Sequence, residues 1–416
     1  MLTGRRGRKG TRLTTAEDQH HARPRRKRLA VPLLPACACC VVLGCGIPGE
    51  QRDAGDDTAA DAPTDTDPSD TPIVPGLLRV VFFDVGTGDS ILVQAPNGRT
   101  LLIDLGIPQV VADGHETDAS RRVVERIEAL TGRRFVDYFL ASHYHSDHIG
   151  GFTSGGSSVG GIAFAFGSLG LGVGTFLDRG RTPAGNSDTQ SDYLRWAENR
   201  LNRQVVTGPG AGWIDLGPEV QVEVIAAAGG GVAPDGSGEN GFSLPLRVTF
   251  GDLEIALTGD LTGDCDDAVD DVETRVAPAM GAVEVYKVNH HGSQSGSNLT
   301  WVRTLHPLAS VFSLGESRFG YPHERVVTAL STVGDVYYTR DGDVVLESRD
   351  GRSFSIGGHN YTARSEAEER SLPDPDVGVD EKTNALCDNG RDDDRDGYTD
   401  CSDYSCTRCP GMTACP

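Results

Sequence analysis

Four metal-ligating side chains, His143, His145, Asp147 and His148, fall within six residues of the run Ser142-His143-Tyr144-His145-Ser146-Asp147-His148-Ile149-Gly150-Gly151. The run follows directly on an apolar stretch ending at Ala141. Three imidazoles and a carboxylate where a strand gives way to a loop can close around one point, and nitrogen with carboxylate oxygen is the donor set of a divalent metal. As core filler, each of these groups would need its own buried partner. Two divalent ions sharing a water lower its pKa and stabilise charge on an electrophile's oxygens, which is hydrolytic chemistry. Further along, Gly292-Ser293 with Ser295 and Ser297 offers backbone N–H and hydroxyl donors to an anion, an arrangement better suited to a phosphodiester than to a neutral lactam. Lys287 and Arg318 are candidate neutralising cations or solvated surface residues.

The elements that must position these groups are read from apolar patterning. Strands are predicted at Leu78–Phe83, Ser90–Gln94, Thr100–Asp104, Val136–Ala141, Val220–Ile225, Leu244–Phe250, Leu253–Thr258, Val283–Val288, Ala309–Leu314, Val336–Tyr338 and Val344–Glu347. Helices are predicted at Thr117–Leu130, Asp188–Asn202, Cys265–Val276, Leu299–Leu305 and Pro322–Ser331, with Pro322 in a first helical turn. Strands leading each half with helices between them indicate a layered α/β sandwich. The Gly- and Ser-rich stretch Thr153–Gly174 reads as a long loop near the site.

The order of motifs resembles the metallo-β-lactamase fold superfamily, whose hallmark is His-x-His-x-Asp-His after a strand. Phe83-Asp84-Val85-Gly86-Thr87-Gly88-Asp89-Ser90 and Leu102-Ile103-Asp104-Leu105-Gly106 precede the histidine run. Leu257-Thr258-Gly259-Asp260 and Tyr286-Lys287-Val288-Asn289-His290-His291-Gly292-Ser293 follow it. The set is similar to the branch that contains the soluble hydrolase domain of ComEC-type DNA-uptake proteins, over Leu77 to Ser348. The resemblance implies a four-layer αββα sandwich. It further implies His143 and His145 on one metal, Asp147 and His148 on a second, and Asp260 bridging both. One of His290 and His291 completes the second site; His291 is taken as the ligand and His290 as the group facing substrate. Asp147 is the expected proton acceptor, and Asp104 the carboxylate that orients a ligand histidine. Asp89 is a turn cap or part of the site. A third histidine for the first metal is missing, since no histidine occurs between Ile149 and Asn289; Glu239-Asn240-Gly241 stands there, with Asn240 or water in its place. Zinc is the default metal and manganese the alternative.

Charge and cysteine usage bound the rest. The chain of 416 residues carries a net charge of −22, and ten of its basic residues precede Cys45. Arg23 to Arg28, an apolar Leu29–Val42 and Val42-Leu43-Gly44-Cys45 resemble a lipoprotein signal over residues 1–45, with an ordinary signal peptide or short anchor as alternatives. On that reading the chain is exported and held to the envelope membrane by lipid. Residues 46–76, rich in Asp, Thr, Pro and Ala, read as a disordered tether. The hydrolase unit, residues 77–364, holds 22 basic and 36 acidic residues, so a small anionic substrate is favoured over a long nucleic acid. Residues 365–416 form an acidic, Cys-rich tail expected to be separate from the core. In it Asp392, Asp394, Asp396, Tyr398, Asp400 and Asp403 match a calcium loop around Gly397, against the alternative of a solvated acidic run. Three functions compete: a phosphodiesterase or nuclease, a β-lactam or lactone hydrolase, and a surface-anchored binding protein with a vestigial metal site.

Overall fold

A computed structural model describes residues 76–106, 115–151, 160–181, 188–200, 202–227, 238–263, 271–315, 320–395, 397–403, 406–407 and 413–415. The signal and most of the tether, with Cys265, Arg318 and Asp396, lie outside the described residues. In chain order the strands are β1 (Leu78–Phe82), β2 (Ile91–Gln94), β3 (Thr100–Ile103), β4 (Phe135–Leu140), β5 (Gly172–Asp178), β6 (Arg203–Val205), β7 (Val220–Val224), β8 (Leu246–Phe250), β9 (Leu253–Leu257), β10 (Val285–Lys287), β11 (Ala309–Phe312), β12 (Asp335–Tyr338), β13 (Val344–Ser348), β14 (Ser353–Ile356) and β15 (His359–Thr362). The helices are α1 (His115–Thr131), α2 (Ser146–Ile149), α3 (Gly161–Gly167), α4 (Asp188–Ala197), α5 (Val272–Met280), α6 (Leu299–Leu305), α7 (Glu324–Val333) and α8 (Glu366–Glu369).

The strands form two sheets, ordered β15-β14-β13-β1-β2-β3-β4-β5-β6 and β12-β11-β10-β9-β8-β7. Alternate residues of each central strand point to opposite faces, and because both faces are covered, every residue of β1, β2, β3, β10 and β11 is buried. Leu78, Val80, Phe82, Ile91 and Val93 of the first sheet pack against Leu246, Val248, Ile255 and Val311 of the second. Val81, Leu92, Leu102 and Phe139 face away, under Val123 and Ile127 of α1, Ile162 of α3 and Leu194 of α4. Ala256, Tyr286 and Phe312 on the outer face of the second sheet lie under Val276 of α5, Trp301 of α6 and Leu330 of α7. The layers therefore run αββα.

Strands β3 to β6 are parallel, as are β9 to β12. Parallel neighbours release their loops at the same end, so the segments after β3, β4, β9, β10 and β11 share one rim, where α/β sheets bind ligands.

Several expectations are corrected. The stretch 153–174 is not one loop, because it contains α3 and the start of β5. Ile162, Ala165 and Phe166 of α3 are buried on the first sheet. Glycine at 150 and 161 lets α3 approach α2: a Cβ on Gly150 would lie 2.5 Å from the Gly161 Cα. Pro322 precedes α7 rather than opening it, and His323 is the N-cap. The tail is not separate but packs on the sandwich: Val377 is buried in the same core cluster as Trp301 and Leu305 of α6 and Val326 and Leu330 of α7. Cys387–Cys406 and Cys401–Cys415 are disulfides.

One buried carboxylate holds the second sheet's functional loop in place. Glu273 of α5 accepts hydrogen bonds from Asn289 Nδ2 at 2.6 Å, the Ser297 N–H at 2.6 Å and the Asn298 N–H at 2.7 Å. Burial outweighs these bonds and pushes its carboxyl up to about 7 from an ordinary 4.5. A carboxyl that binds its proton more tightly when folded stabilises the fold at low pH, and that contribution is lost as pH rises from 4.5 through about 7. Over that window the stability difference between wild type and Glu273→Gln should change by on the order of 3 kcal/mol, wild type losing ground as pH rises, in denaturant unfolding.

Candidate metal centre

Each sheet supplies half of the site. On the first, Asp104 and Ala141 leave β3 and β4 side by side, the Asp104 N–H donating to the Leu140 carbonyl at 2.9 Å. Asp104 then turns back with φ 56° and its carboxylate accepts the Ser142 N–H at 2.8 Å, the Ser142 hydroxyl at 2.6 Å and His148 Nδ1 at 2.8 Å. The short α2 places Asp147 and His148 facing inward, and its backbone is bonded to the neighbouring turns. The Asp89 N–H donates to the Asp147 carbonyl, and the Leu105 N–H to the His148 carbonyl, both at 2.9 Å.

On the second sheet, Asp260 follows β9 and its N–H donates to Ser243 Oγ at 3.1 Å. His290 and His291 follow β10 with φ of 48° and 54°, a turn held by the Glu273 contacts to Asn289. His291 Nδ1 donates to the Ser313 carbonyl at 2.9 Å after β11. His148 and His291 thus spend their Nδ1 hydrogens on fixed acceptors, which directs each Nε2 lone pair into the site.

Asp260 Oδ2 lies 3.2 Å from His148 Nε2, 3.6 Å from His291 Nε2 and 3.9 Å from His143 Nε2. Asp147 Oδ2 is 3.3 Å from His291 Nε2. Asp147, His148, Asp260 and His291 bring one ligand atom each within 4.8 Å of one another. His148 Nε2 and His291 Nε2 are buried and, among the described residues, make no hydrogen bond, although both face carboxylate oxygens. Such lone-pair nitrogens aimed at acidic oxygens leave the geometry of a cation's coordination shell, so the residues fit a divalent metal. His143 Nε2 and His145 Nδ1 converge at 3.1 Å beside this cluster.

The electrostatics agree. Burial acts to keep His148 neutral, yet Asp260 and Asp104 outweigh it and raise its pKa well above the ordinary value; Asp260 and Asp147 raise His291 in the same way. Burial likewise opposes ionisation of Asp147, but His291 and His148 hold it at about 2. His143, buried beside His148, is lowered well below its ordinary value and stays neutral. The carboxylates thus draw positive charge to the centre of the cluster.

His290 turns away from the cluster. Its Nδ1 lies 3.1 Å from Ser295 Oγ and its ring nitrogens 3.3 and 3.4 Å from Asn240 Nδ2, while Ser293 Oγ is 3.1 Å from Ser295 Oγ. Gly292, φ 84°, carries the chain from the histidines into these serines. Asn240 therefore lines the His290 side of the site, with its Oδ1 buried and without a hydrogen-bond partner among the described residues.

Lys287 is neither a solvated residue nor a cation open to substrate. It is fully buried, with Nζ 2.5 Å from Asp89 Oδ2, 3.3 Å from Asp260 Oδ1 and 2.9 Å from the Gly259 carbonyl. Asp89 is thereby more than a turn cap, since it and Lys287 brace Asp260. Sequence reading missed Arg179 and Glu239. The buried Arg179 guanidinium pairs with Glu239 at 2.5 Å and lies over the Tyr144 ring, and Glu239 Oε1 accepts the Tyr144 N–H at 2.8 Å, between the two histidines. Glu239 adjoined the Asn240 position flagged above; Arg179 carried no local signal.

In the tail, Asp392 and Asp394 approach Glu381, which sequence reading did not single out. Asp403 is buried and accepts the Cys406 N–H at 3.2 Å. Asp400 instead accepts the N–H groups of Asn389 and Gly390, and Tyr398 is exposed.

The layers, the rim of parallel strand ends and this cluster match the αββα arrangement expected of the metallo-β-lactamase fold, and part of the chain is similar in sequence to two competence proteins. ComE operon protein 3 of Bacillus subtilis is 25% identical over 260 residues, covering 61% of this chain and 30% of that protein. Competence protein ComA of Neisseria gonorrhoeae is 26% identical over 250 residues, 59% of this chain and 28% of its own. The alignments thus span less than a third of these relatives. Among solved structures, CmlA, a diiron beta-hydroxylase from Streptomyces venezuelae, superposes with a TM-score of 0.39 at 13% identity, covering 64% of this chain and 53% of that one. No protein-family model matches the chain.

Two substitutions probe the construction. Asp104→Asn weakens the hold on His148 and should cost about 10- to 100-fold in metal affinity, read by competition with a chromophoric chelator. A Cβ on Gly106 would lie 1.6 Å from the Asp147 carbonyl oxygen. Gly106→Ala must therefore displace α2, and should lose about 3 kcal/mol of stability, or more, together with metal retention; a variant with wild-type metal content and unfolding midpoint would refute the close packing.

Proposed function

We propose that the 77–364 unit is a metal-dependent phosphodiesterase, acting on a small anionic diester more readily than on long nucleic acid. The observation that carries the reading is Asp260 Oδ2 facing three imidazoles, with His290, Ser293 and Ser295 beside it. His143 and His145 would hold one ion and Asp147, His148 and His291 the other, with Asp260 shared. Zinc suits the mixed nitrogen and oxygen donors, and manganese the poorer first set, which lacks a third histidine. Bound there, the ions supply Lewis acidity and an activated water.

The protein's own groups do the remainder. Asp147, held at about 2 by His291 and His148, stays ionised at neutral pH and can accept a hydrogen bond, or the proton, from an attacking water. His290 is kept neutral because burial lowers its pKa, against the pull of Asp260, so it can donate its N–H as a hydrogen bond to a diester oxygen. Ser293, Ser295 and Asn240 are placed to donate to the diester's free oxygens. The Asp89–Lys287 pair keeps Asp260 charged and fixed.

The two tail disulfides support an exported setting, in keeping with the lipoprotein-like N-terminus and lipid attachment to the envelope. Among the described residues no helix is long and apolar enough to cross a membrane. The acidic tail is read as a calcium-binding module.

Zinc- or manganese-loaded protein should hydrolyse bis-p-nitrophenyl phosphate in preference to nitrocefin. His291→Ala should lose bound metal, whereas His290→Ala should retain metal and fall about 100-fold in kcat. Nitrocefin turnover with no diester cleavage under any metal would instead establish the lactam-hydrolase reading.

A further inference from the structure

The tail crosses the outer helix layer as a strap, and three consecutive residues there have different partners. The Asp380 carboxylate accepts the Leu299 N–H at the start of α6, 3.0 and 3.1 Å from its two oxygens, and lies 3.8 Å from Arg325. Lys382 donates to the Gly263 carbonyl and lies 3.3 Å from Asp271 Oδ2. Both bind the hydrolase unit; Glu381, between them, contacts the tail residues Asp393, Cys387 and Cys406.

Glu381 is fully buried. One of its carboxylate oxygens accepts the Asp393 N–H at 2.6 Å. The other, Oε2, has Cys406 Sγ 3.4 Å away, but that sulfur is in a disulfide with Cys387 and has no hydrogen to donate. Oε2 is therefore a buried carboxylate oxygen without a hydrogen-bond donor among the described residues. Asp392 and Asp394 each bring an oxygen to within 4.8 Å of the Glu381 carboxylate, and Asp394 is itself buried. The charges acting most strongly on Glu381 are other carboxylates, Asp403, Asp393 and Asp392. Burying an acceptor among like charges is costly unless a cation compensates. The donors are all hard oxygens, and the chain turns sharply at Gly397, φ 92°, whose N–H donates to Asp392 Oδ2 at 3.0 Å. That chemistry suits calcium better than zinc.

We propose that Glu381, Asp392 and Asp394 hold one calcium ion, and that this ion fastens the strap formed by Asp380, Glu381 and Lys382 to the hydrolase unit. The inference rests on reading the tail as a cation module and adds to it a ligand from outside the acidic run. Because Glu381 is covalently between the two strap contacts, the ion joins the disulfide-bonded loop to the cap of α6. Asn298, the residue before α6, donates its N–H to Glu273, which also holds Asn289 beside the histidine pair. Calcium loading should therefore reach the loop that carries His290 and His291.

The test uses oxidised, full-length protein freed of calcium by EGTA, titrated with calcium chloride in a calorimeter and followed by hydrogen exchange at Leu299. Wild type should take up one ion in the tail, and exchange at Leu299 should slow at least tenfold on loading. Glu381→Gln, nearly isosteric, should bind at least tenfold more weakly and lose the protection at Leu299. Intact disulfides and unchanged exchange in β1 to β3 would show that the variant is folded. Wild-type affinity in Glu381→Gln alongside lost binding in Asp392→Asn would overturn the assignment of Glu381 while leaving the tail module standing. An absence of calcium uptake by wild type would overturn both. Uptake with no change at Leu299 would overturn the fastening role.

Discussion

Asp89, Asp104, Asp147 and Asp260 are all buried within one small volume at the meeting of the two sheets, and the surrounding structure is arranged around their charge. Removing a carboxylate from water is expensive unless opposite charge and hydrogen bonds replace the lost hydration. Lys287 answers part of the demand through Asp89 and one oxygen of Asp260. Asp104 is satisfied by Ser142 and His148. Asp147 and the second oxygen of Asp260 face imidazole nitrogens instead, and those imidazoles are drawn toward protonation. A divalent cation answers the same demand with greater charge and leaves the imidazoles as neutral ligands.

The two sheets meet this demand through different means. The first binds its half by backbone hydrogen bonds, with the turns at Asp89, Leu105 and Gly106 laid against α2 so closely that no side chain fits at Gly106. The second relies on buried side chains: Thr258 donates to Asn289, and Glu273 gathers the loop from Asn289 to Asn298. Besides the ion pairs of the cluster, hydrogen bonds join the halves. The Leu244 N–H donates to the Ser142 carbonyl, and Glu239 accepts from Tyr144. This division explains why left-handed backbone at Asp104, His290 and His291 is tolerated, since strain of that kind persists where neighbouring contacts over-determine it.

Much of the fold was legible because an apolar run is a local property. The central strands β1 to β4 and β7 to β11 follow apolar runs that each carry their own signal, and α6 was read with its observed limits. The β14–β15 hairpin was missed although Gly357-Gly358, both with positive φ, is a turn signal between short alternating runs. Helix α3 was missed for another reason. Its glycines read as loop, and only burial against the first sheet compensates for their entropy.

The sequence by itself determined the donor types and their placement at strand ends, since a histidine-and-aspartate run following an apolar strand is local information. It also determined the two layered halves and the clustering of tail cysteines. Only the tertiary structure separated His291 from His290, because the choice depends on which imidazole finds the Ser313 carbonyl beyond β11. Only tertiary structure turned Lys287 from a candidate substrate contact into the buried counter-charge of Asp89 and Asp260. Arg179, Glu239, Glu273 and Glu381 became significant in the same way. Burial and pairing are properties of groups distant in sequence, and no local pattern records them.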